Sequence, residues 1–481
     1  MKGITAYSVY LPYYRLKRET ILKAMGWFNP ALAGVARGEK AVANYDEDSL
    51  TMAVAAGMDC LKEMSKDKIS TLYLASTTFP YKERQNTAIA SAALNLSPTA
   101  RTADFSGCIK AGTTALIAAL NEPDSEPTMV CASDCRLGKA GGTQEQLFGD
   151  GAATVVVGTE GVIARFIGCW SLSYDFADQR RMDRDKYTRG WEERWIREAG
   201  YFRMIPEAID GVLKKCGLPI TQIAKVAYPP LSLRDHKAMA KKLGLEADRV
   251  QDPLIESIGE TGCAHPLIML GGALEEARPG DKILLVSFGS GGDALLFEVT
   301  EEIERLKDRN KLKKNLAYKR ELGQYTKYLS FKGMLPKEVG IRGQEIAPTS
   351  LSLTWREQNA VLRLIGSKCQ ACGTPQFPRE SVCINPDCGA VGEMEDYLFS
   401  DRTGYLFTYT ADHLTYSEDP PALYGIVDFE GGGRYWFDLT DCQLEALQVG
   451  QPIQMSFRRR YLDESRSIAG YFWKATPFKS P

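Results

Sequence analysis

The sequence predicts an α/β protein built on a parallel or mixed sheet, followed by a small zinc-binding ribbon and a five-stranded β-barrel. Three observations carry that expectation. Strand-like and helix-like segments alternate over residues 1–300, and several strands are apolar on both faces, as strands covered by helices are. Four cysteines crowd between positions 369 and 388 as two pairs. Five short strand patterns separated by turns fill most of the rest of the chain.

The chain has 481 residues, room for two to four domains. Its 59 basic and 61 acidic residues leave a net charge of −2, so no basic excess points to a nucleic-acid partner. Met1-Lys2-Gly3-Ile4-Thr5 has no apolar leader, and no later apolar run approaches a membrane span. Cytoplasmic residence, with no membrane partner, is therefore expected. The 12 cysteines are unevenly spread, unlike a secreted disulfide scaffold. Only His236, His265 and His413 are available to any histidine mechanism.

Residues 4–11 alternate loosely and stop at Pro12, which reads as a strand. Residues 48–64 place Leu50, Val54 and Leu61 on a helix, with Asp46 or Asp48 as its cap. A strand at 69–75, an alanine-rich helix at 86–94 and a strand at 128–132 follow. Gly149-Asp150-Gly151 leads into another strand at 154–157.

Within this alternation lies the stretch Asp104-Phe105-Ser106-Gly107-Cys108-Ile109-Lys110-Ala111-Gly112. Small and polar residues precede Cys108, and an apolar helix follows it. A thiol close to a helix N-terminus is expected to have a lowered pKa, and a thiolate there is a nucleophile for acyl groups. The alternative is a structural cysteine of the core.

Residues 167–201 break the rhythm with Asp, Arg, Trp and Tyr, including Asp178, Arg180, Trp191 and Trp195. They read as a solvated excursion or as a cap or partner surface. The pattern resumes with helices at 205–216 and 233–243, a strand at 223–228, and a helix at 262–277 interrupted by Pro266. A strand at 282–288, the turn Gly289-Ser290-Gly291-Gly292-Asp293 and a returning strand at 294–299 close the half. This ending echoes residues 149–157 and suggests an internal two-fold repeat. Residues 301–319 form a charged run expected to be a solvated connecting helix, residues 342–348 an irregular linker, and 355–364 a helix.

Cys369-Gln370-Ala371-Cys372 and Cys383-Ile384-Asn385-Pro386-Asp387-Cys388 suit one tetrahedral thiolate zinc site. With all four positions filled by cysteine, no coordination site remains for catalytic water, so the zinc is expected to be structural. Strands at 404–411, 422–429, 435–439, 452–460 and 468–475 suggest a small barrel of the oligonucleotide/oligosaccharide-binding (OB) type. Arg458-Arg459-Arg460-Tyr461 is one basic cluster, read as a docking surface or a contact for cofactor phosphates rather than for nucleic acid.

On Ser106-Gly107-Cys108, Ile258-Gly259-Glu260-Thr261-Gly262 and Phe288-Gly289-Ser290-Gly291, residues 1–300 resemble the thiolase-like superfamily in its 3-hydroxy-3-methylglutaryl-coenzyme A synthase branch. Residues 366–475 resemble the rubredoxin-like zinc ribbon and OB-fold (DUF35-type) domain that accompanies such proteins. The resemblance implies a duplicated five-layer α/β fold, a homodimer, an acyl-coenzyme A substrate and Cys108 as acyl nucleophile. It also implies that the turn of Gly289, Ser290 and Gly291 lies beside that cysteine and the coenzyme. The domains expected are 1–165 and 166–300 as the two halves, with cap 167–201 inside the second. Residues 301–365 follow as charged helix and linker, 366–392 as zinc ribbon and 393–481 as OB-fold.

Three departures stand out, the first being Glu260 where the branch carries an asparagine. Thr77 occupies the place of the branch's acid/base glutamate, and Pro229-Pro230 the place of its histidine. Threonine is no base at neutral pH. Glu260, with a pKa raised by an apolar pocket, and His265 are therefore the expected acid/base candidates. The expected activity is carbon–carbon bond formation or cleavage, by Claisen condensation or reverse thiolysis, on an acyl-coenzyme A through an acyl-Cys108 thioester. The ribbon and barrel would then cover the pocket and help hold the coenzyme's nucleotide end. The alternative is a non-catalytic scaffold or acyl-coenzyme A channelling subunit, working with an additional thiolase-family enzyme.

Overall fold

The computed structural model describes every residue except 124–125, 307, 341–349 and 479–481. The linker expected at 342–348 lies outside the described residues. The chain divides into two units: residues 1–43, 48–91 and 96–328 form the first, and residues 44–47, 92–95 and 329–481 the second.

In the first unit nine strands form one sheet. They are β1 (Gly3–Tyr10), β2 (Thr71–Ala75), β3 (Arg101–Phe105), β4 (Thr128–Asp134), β5 (Gly151–Gly158), β6 (Ala164–Ser173), β7 (Lys225–Ala227), β8 (Lys282–Val286) and β9 (Gly291–Val299). Their order is β7-β8-β9-β6-β1-β5-β4-β2-β3. The duplication is explicit in the pairing. In the first half β1 pairs antiparallel with β5, β5 antiparallel with β4, and β4 parallel with β2. In the second, β6 pairs antiparallel with β9, β9 antiparallel with β8, and β8 parallel with β7. Even β3 has a counterpart, because Val250 makes a parallel bridge to Val226 of β7. The halves join where Gly3 and Ile4 of β1 pair with Arg165 and Ala164 of β6.

Strand alternation sorts the core into layers. Ile283, Leu285, Leu295 and Phe297 turn inward with Val130, Val155 and Val157 of the first half onto two central helices, α1 (Ala111–Asn121) and α2 (His265–Glu276). Leu284, Val286, Ala294 and Leu296 turn the other way, onto the outer helices Phe202–Cys216 and Leu233–Lys242. On the outer face of the first half, Met52 and Ala56 of helix Ser49–Cys60 pack on Tyr10 and Ala152. Helix, sheet, helix, sheet, helix is the five-layer arrangement. α2 is buried along nearly its whole length, which its even apolarity requires.

Local chemistry sets the helix starts. Asp48 and Thr51 form a reciprocal capping box at 2.9 Å in each direction. Pro266 does not interrupt a helix as expected: it sits in the first turn of α2, where its missing N–H costs nothing.

Two further expectations change. Residues 167–173 belong to β6, a strand inside the sheet, so the excursion occupies only residues 174–201. β6 has antiparallel partners on both sides. The charged run at 301–319 is not a solvated helix. It breaks into a 3₁₀ turn at Glu301–Arg305 and a helix at Lys311–Ala317 that packs within the first unit. Asn315 donates to the Val9 carbonyl at 2.8 Å, and Lys311 pairs with Asp59 at 3.0 Å and Glu63 at 3.7 Å.

In the second unit β10 (Ile365–Cys369) pairs antiparallel with β11 (Pro375–Gln376) and β12 (Met394–Leu398). The ribbon therefore includes β10 and β12, and its boundary falls after 398 rather than at 392. Strands β13 (Gly404–Asp412), β14 (Ala422–Phe429), β15 (Arg434–Asp438), β16 (Pro452–Asp463) and β17 (Ile468–Pro477) form an antiparallel sheet in the order β15-β14-β13-β16-β17. A bridge between Leu439 and Ala475 brings its two edges together. Arg458 and Arg459 are not a free basic patch. Arg458 is buried against Glu47 at 2.6 Å and also pairs with Asp441, while Arg459 donates to the Tyr45 carbonyl at 2.8 Å. Among the described residues, no helix is long and apolar enough to cross a membrane.

Gly149 is where the sheet end meets the loop before α2. Its N–H donates to the Glu260 carbonyl at 3.0 Å, and a Cβ there would fall 1.8 Å from the Ile258 oxygen. Gly149→Ala is expected to destabilise the first unit by about 3 kcal/mol, read as a lower denaturation midpoint. Gly34→Ala, with open space around its Cβ, should leave the midpoint within experimental error.

Candidate active site and metal centre

Cys108 lies in the turn between β3 and α1, two residues before the Lys110 cap, with its carbonyl accepting from the Ala111 N–H at 3.1 Å. Gly107 precedes it at φ +100°, a conformation that favours glycine. The thiol is half-buried. Burial pushes its pKa up, and the charges of Asp293 and Asp178 act in the same direction. The Lys110 backbone N–H and the Lys110 charge oppose this without overcoming it. The expected thiolate is thus corrected to a protonated thiol at neutral pH, because the environment removes more hydration than the helix start returns.

The glycine turn packs on this segment. A Cβ on Gly289 would lie 2.5 Å from Cγ1 of Ile109. Ser290 and Gly291 adopt φ +46° and +116°. The Gly289 N–H is spent on the Gly291 carbonyl at 3.1 Å. Among the described residues, the amides of Cys108 and Ser290 donate to no protein acceptor. Asp293, just beyond the turn, accepts from Thr113 at 2.8 Å and Thr114 at 3.2 Å, and pairs with the Lys110 ammonium at 3.4 Å. Lys110 also donates to the Leu172 carbonyl at 3.0 Å.

Glu260 is not the raised-pKa carboxylic acid expected. Burial alone would raise it, but the Arg136 charge and hydrogen bonds outweigh burial and hold it below the usual carboxylate range. Arg136 forms a buried ion pair with Glu260, donates to the Gln179 side chain and lies over the Phe148 ring at 4.1 Å. The second Glu260 oxygen accepts from the Gly262 N–H at 2.7 Å. An ionised, fully engaged carboxylate is a weak base.

His265 is also occupied. Its Nδ1 accepts from the Thr261 N–H at 3.2 Å, and its Nε2 donates to the Pro253 carbonyl at 3.0 Å. It is fully buried, and burial lowers its pKa. Both nitrogens thus anchor the start of α2. His236 is buried and stacked on Tyr228 with ring centroids 4.3 Å apart. Burial lowers its pKa to about 4.

Thr77 donates to Asp134 from its backbone N–H at 2.7 Å and its hydroxyl at 2.9 Å. Ser76 and Thr78 donate to the same oxygen at 3.1 Å each, and the Cys263 N–H donates to the other at 2.8 Å. Gly262, at φ +62°, leaves room for this carboxylate: a Cβ there would fall 2.1 Å from it. Asp134 thus gathers the end of β2, the end of β4 and the start of α2. Sequence reasoning missed it, along with Arg136 and Asp178. Asp178 sits on the excursion after β6, nearly fully buried. Burial raises its pKa to about 6 against the lowering effects of the Gln179 and Asp178 amides and of Arg136, while Glu260 adds to the rise.

In the second unit, the four sulfurs of Cys369, Cys372, Cys383 and Cys388 all lie within 4.8 Å of one another. Cys369 and Cys388 are 3.8 Å apart, and Cys372 and Cys383 3.5 Å. Tetrahedral zinc with bonds of about 2.3 Å sets sulfur separations near 3.8 Å, so this donor set fits a structural zinc ion. Gly373 and Gly389, at φ +76° and +65°, turn the chain behind the two cysteine pairs.

Family models match three parts of the chain. Residues 213–297 match the 3-oxoacyl-[acyl-carrier-protein (ACP)] synthase III C terminal. Residues 360–394 match the ChsH2 rubredoxin-like zinc ribbon domain, and 399–458 the ChsH2 C-terminal OB-fold domain. The chain is 30% identical over 344 residues to the hydroxymethylglutaryl-CoA synthase of Methanothermobacter thermautotrophicus, covering 70% of this chain and 99% of that one. To the synthase of the same name from Thermococcus onnurineus it is 31% identical over 316 residues, or 64% and 89% of the two chains. A solved HMG-CoA synthase complexed with CoA superposes with a TM-score of 0.60 at 19% identity, over 73% of this chain and 94% of that one. The 3-oxoacyl-[acyl-carrier-protein] synthase III of Aquifex aeolicus does so with 0.53 at 21% identity, over 62% and 100%. At those identities the superpositions speak for the fold.

The purified full-length protein is expected to carry about one zinc ion per chain by elemental analysis. Cys372→Ser should drop that to less than half, and unchanged zinc content would refute the four-thiolate site.

Proposed function

The chain belongs to the hydroxymethylglutaryl-CoA synthase family, and from that premise we propose that it transfers an acyl group from a coenzyme A thioester to Cys108 and uses the acyl-enzyme to make or break a carbon–carbon bond. It is an enzyme of the acyltransferase type, with the thiolase-like fold. The observation that carries the reading is the setting of Cys108: a half-buried thiol at the start of a central helix, in a segment packed by a glycine turn, with the amides of Cys108 and Ser290 donating to no acceptor among the described residues.

The chemistry follows from those groups. Sγ of Cys108 attacks the thioester carbonyl, and the carbonyl oxygen gains negative charge. The amides of Cys108 and Ser290 are the donors available for that charge. Collapse expels the coenzyme thiol and leaves the acyl group on sulfur. A carbon nucleophile then takes the acyl group in condensation; in cleavage Sγ attacks the β-carbonyl of a 3-oxoacyl thioester instead, the bond to the α-carbon breaks and that carbon is protonated, and a thiol then takes the acyl group from Cys108. The family's usual proton carriers do not serve here. Thr77 is a donor locked onto Asp134, and the position of the histidine is Pro229, whose carbonyl accepts from Tyr201 at 3.0 Å.

Incubation with a panel of short acyl-coenzyme A thioesters, followed by intact-mass and peptide analysis, tests the reading. One acyl adduct per chain on Cys108, absent in Cys108→Ala, is expected. Absence of any adduct across the panel, with Cys108 still reactive toward iodoacetamide, would favour a non-catalytic thiolase-like subunit instead.

A further inference from the structure

The thiol of Cys108 is protonated at neutral pH, so acylation needs a base, and the family's usual ones are missing. The carboxylates of the neighbourhood can be taken one by one. Asp134 is saturated by five donors from Ser76, Thr77, Thr78 and Cys263. Glu260 is neutralised by Arg136 and the Gly262 amide. Asp293 acts on Cys108 electrostatically but is held by Lys110, Thr113 and Thr114. Asp178 also acts on Cys108, and among the described residues no side chain hydrogen-bonds or ion-pairs with its carboxylate. Only the backbone amides of Asp178 and Gln179 face it.

Its position is fixed from both sides. Upstream, the Tyr174 N–H donates to the Ser290 carbonyl at 3.1 Å, and Phe176 packs on Phe288 with centroids 6.3 Å apart and stacks on Trp195 at 4.0 Å. That ties the segment to the glycine turn beside Cys108. Downstream, the Gln179 side chain is held by Arg136, which also holds Glu260. Asp178 lies between these anchors at 4% exposure. The segment read as a solvated excursion or a cap thus holds a buried carboxylate in the stretch between its anchors on the glycine turn and on Arg136.

We propose that Asp178 is the base that takes the proton of Cys108 during acyl transfer, directly or through one water, and returns it to the departing coenzyme thiolate. This rests on the acyl-transfer reading above. The step balances without a redox partner. The S–H bond of Cys108 breaks as the carboxylate gains the proton, and the Sγ–C bond forms. The carbon–sulfur bond to the coenzyme then breaks, and its thiolate takes the proton from the Asp178 carboxylic acid.

The charged and titratable groups acting on Asp178 are Arg136 from beyond β4 and Glu260 from before α2, and those acting on Cys108 are Lys110, Asp293 and Asp178. Asp178 is a carboxylate above about pH 6 and a carboxylic acid below it. Acylation should therefore fall as pH drops through 6. Removing the Asp178 charge removes one cause of the high Cys108 pKa, so the thiol should become more acidic in Asp178→Asn.

The test measures two rates against pH on the zinc-loaded full chain: acylation of Cys108 by an acyl-coenzyme A that forms the adduct, and alkylation of Cys108 by iodoacetamide. In Asp178→Asn, acylation should fall about 100-fold or more and lose its limb near pH 6, while alkylation stays equal or rises. Asp178→Glu should retain a limb. A purely structural role would not lower acylation while sparing alkylation. Acylation of Asp178→Asn within about threefold of wild type, with the limb intact, overturns the inference and leaves the acyl-transfer reading standing. Wild-type protein that alkylates but is acylated by no thioester overturns both. If Asp178→Asn loses alkylation as well, Asp178→Glu decides: a displaced limb supports the assignment and an unmoved one overturns it.

Discussion

The candidate site depends on one buried ion pair. Arg136 and Glu260 are 124 residues apart in the chain and meet with side chains 2% and 12% exposed. Arg136 adds the Gln179 side chain and the Phe148 ring to the same junction. Three segments are thereby held together: the loop beyond β4, the loop leading into α2, and the excursion after β6. Removing one member of a buried pair leaves the other charge uncompensated, a cost of about 3–5 kcal/mol. The pair also determines the chemistry. It holds Glu260 as an ionised, fully engaged carboxylate.

Close backbone approach is the second constraint. A Cβ on Gly112 of α1 would lie 2.3 Å from the Cys263 carbonyl at the start of α2, so the two central helices meet where only glycine fits. Gly289 against Ile109 and Gly149 against Ile258 repeat the device. The site is a convergence of helix starts and strand ends from both halves of the duplicated sheet, and small residues set how near those ends come.

Much of the architecture was legible because it is local. Alternation of apolar residues marked the strands, Asp48 marked a helix start through its capping box, and the spacing of Cys369, Cys372, Cys383 and Cys388 marked a metal site that the sulfur positions fit. What escaped was long-range. Whether Glu260 is a base or an anchor depends on Arg136; His265 looked catalytic until Thr261 and Pro253 took both its nitrogens. The Cys108 pKa was misjudged because a helix start can be read from sequence, whereas burial and the charges of Asp178 and Asp293 cannot. The charged run at 301–319 looked solvated because nothing local announces that Lys311 and Asn315 serve groups near the other end of the chain. Asp178 was hidden among surface-like charges for the same reason.

The central claim is that Cys108 exchanges acyl groups with coenzyme A, a partial reaction that needs no knowledge of the second substrate. Its most direct measurement is the exchange of isotopically labelled coenzyme A into an unlabelled acyl-coenzyme A, catalysed by the full-length protein in the absence of any other acceptor. The account predicts exchange in the wild-type protein and none above background in Cys108→Ala. Exchange that persists in Cys108→Ala would contradict it.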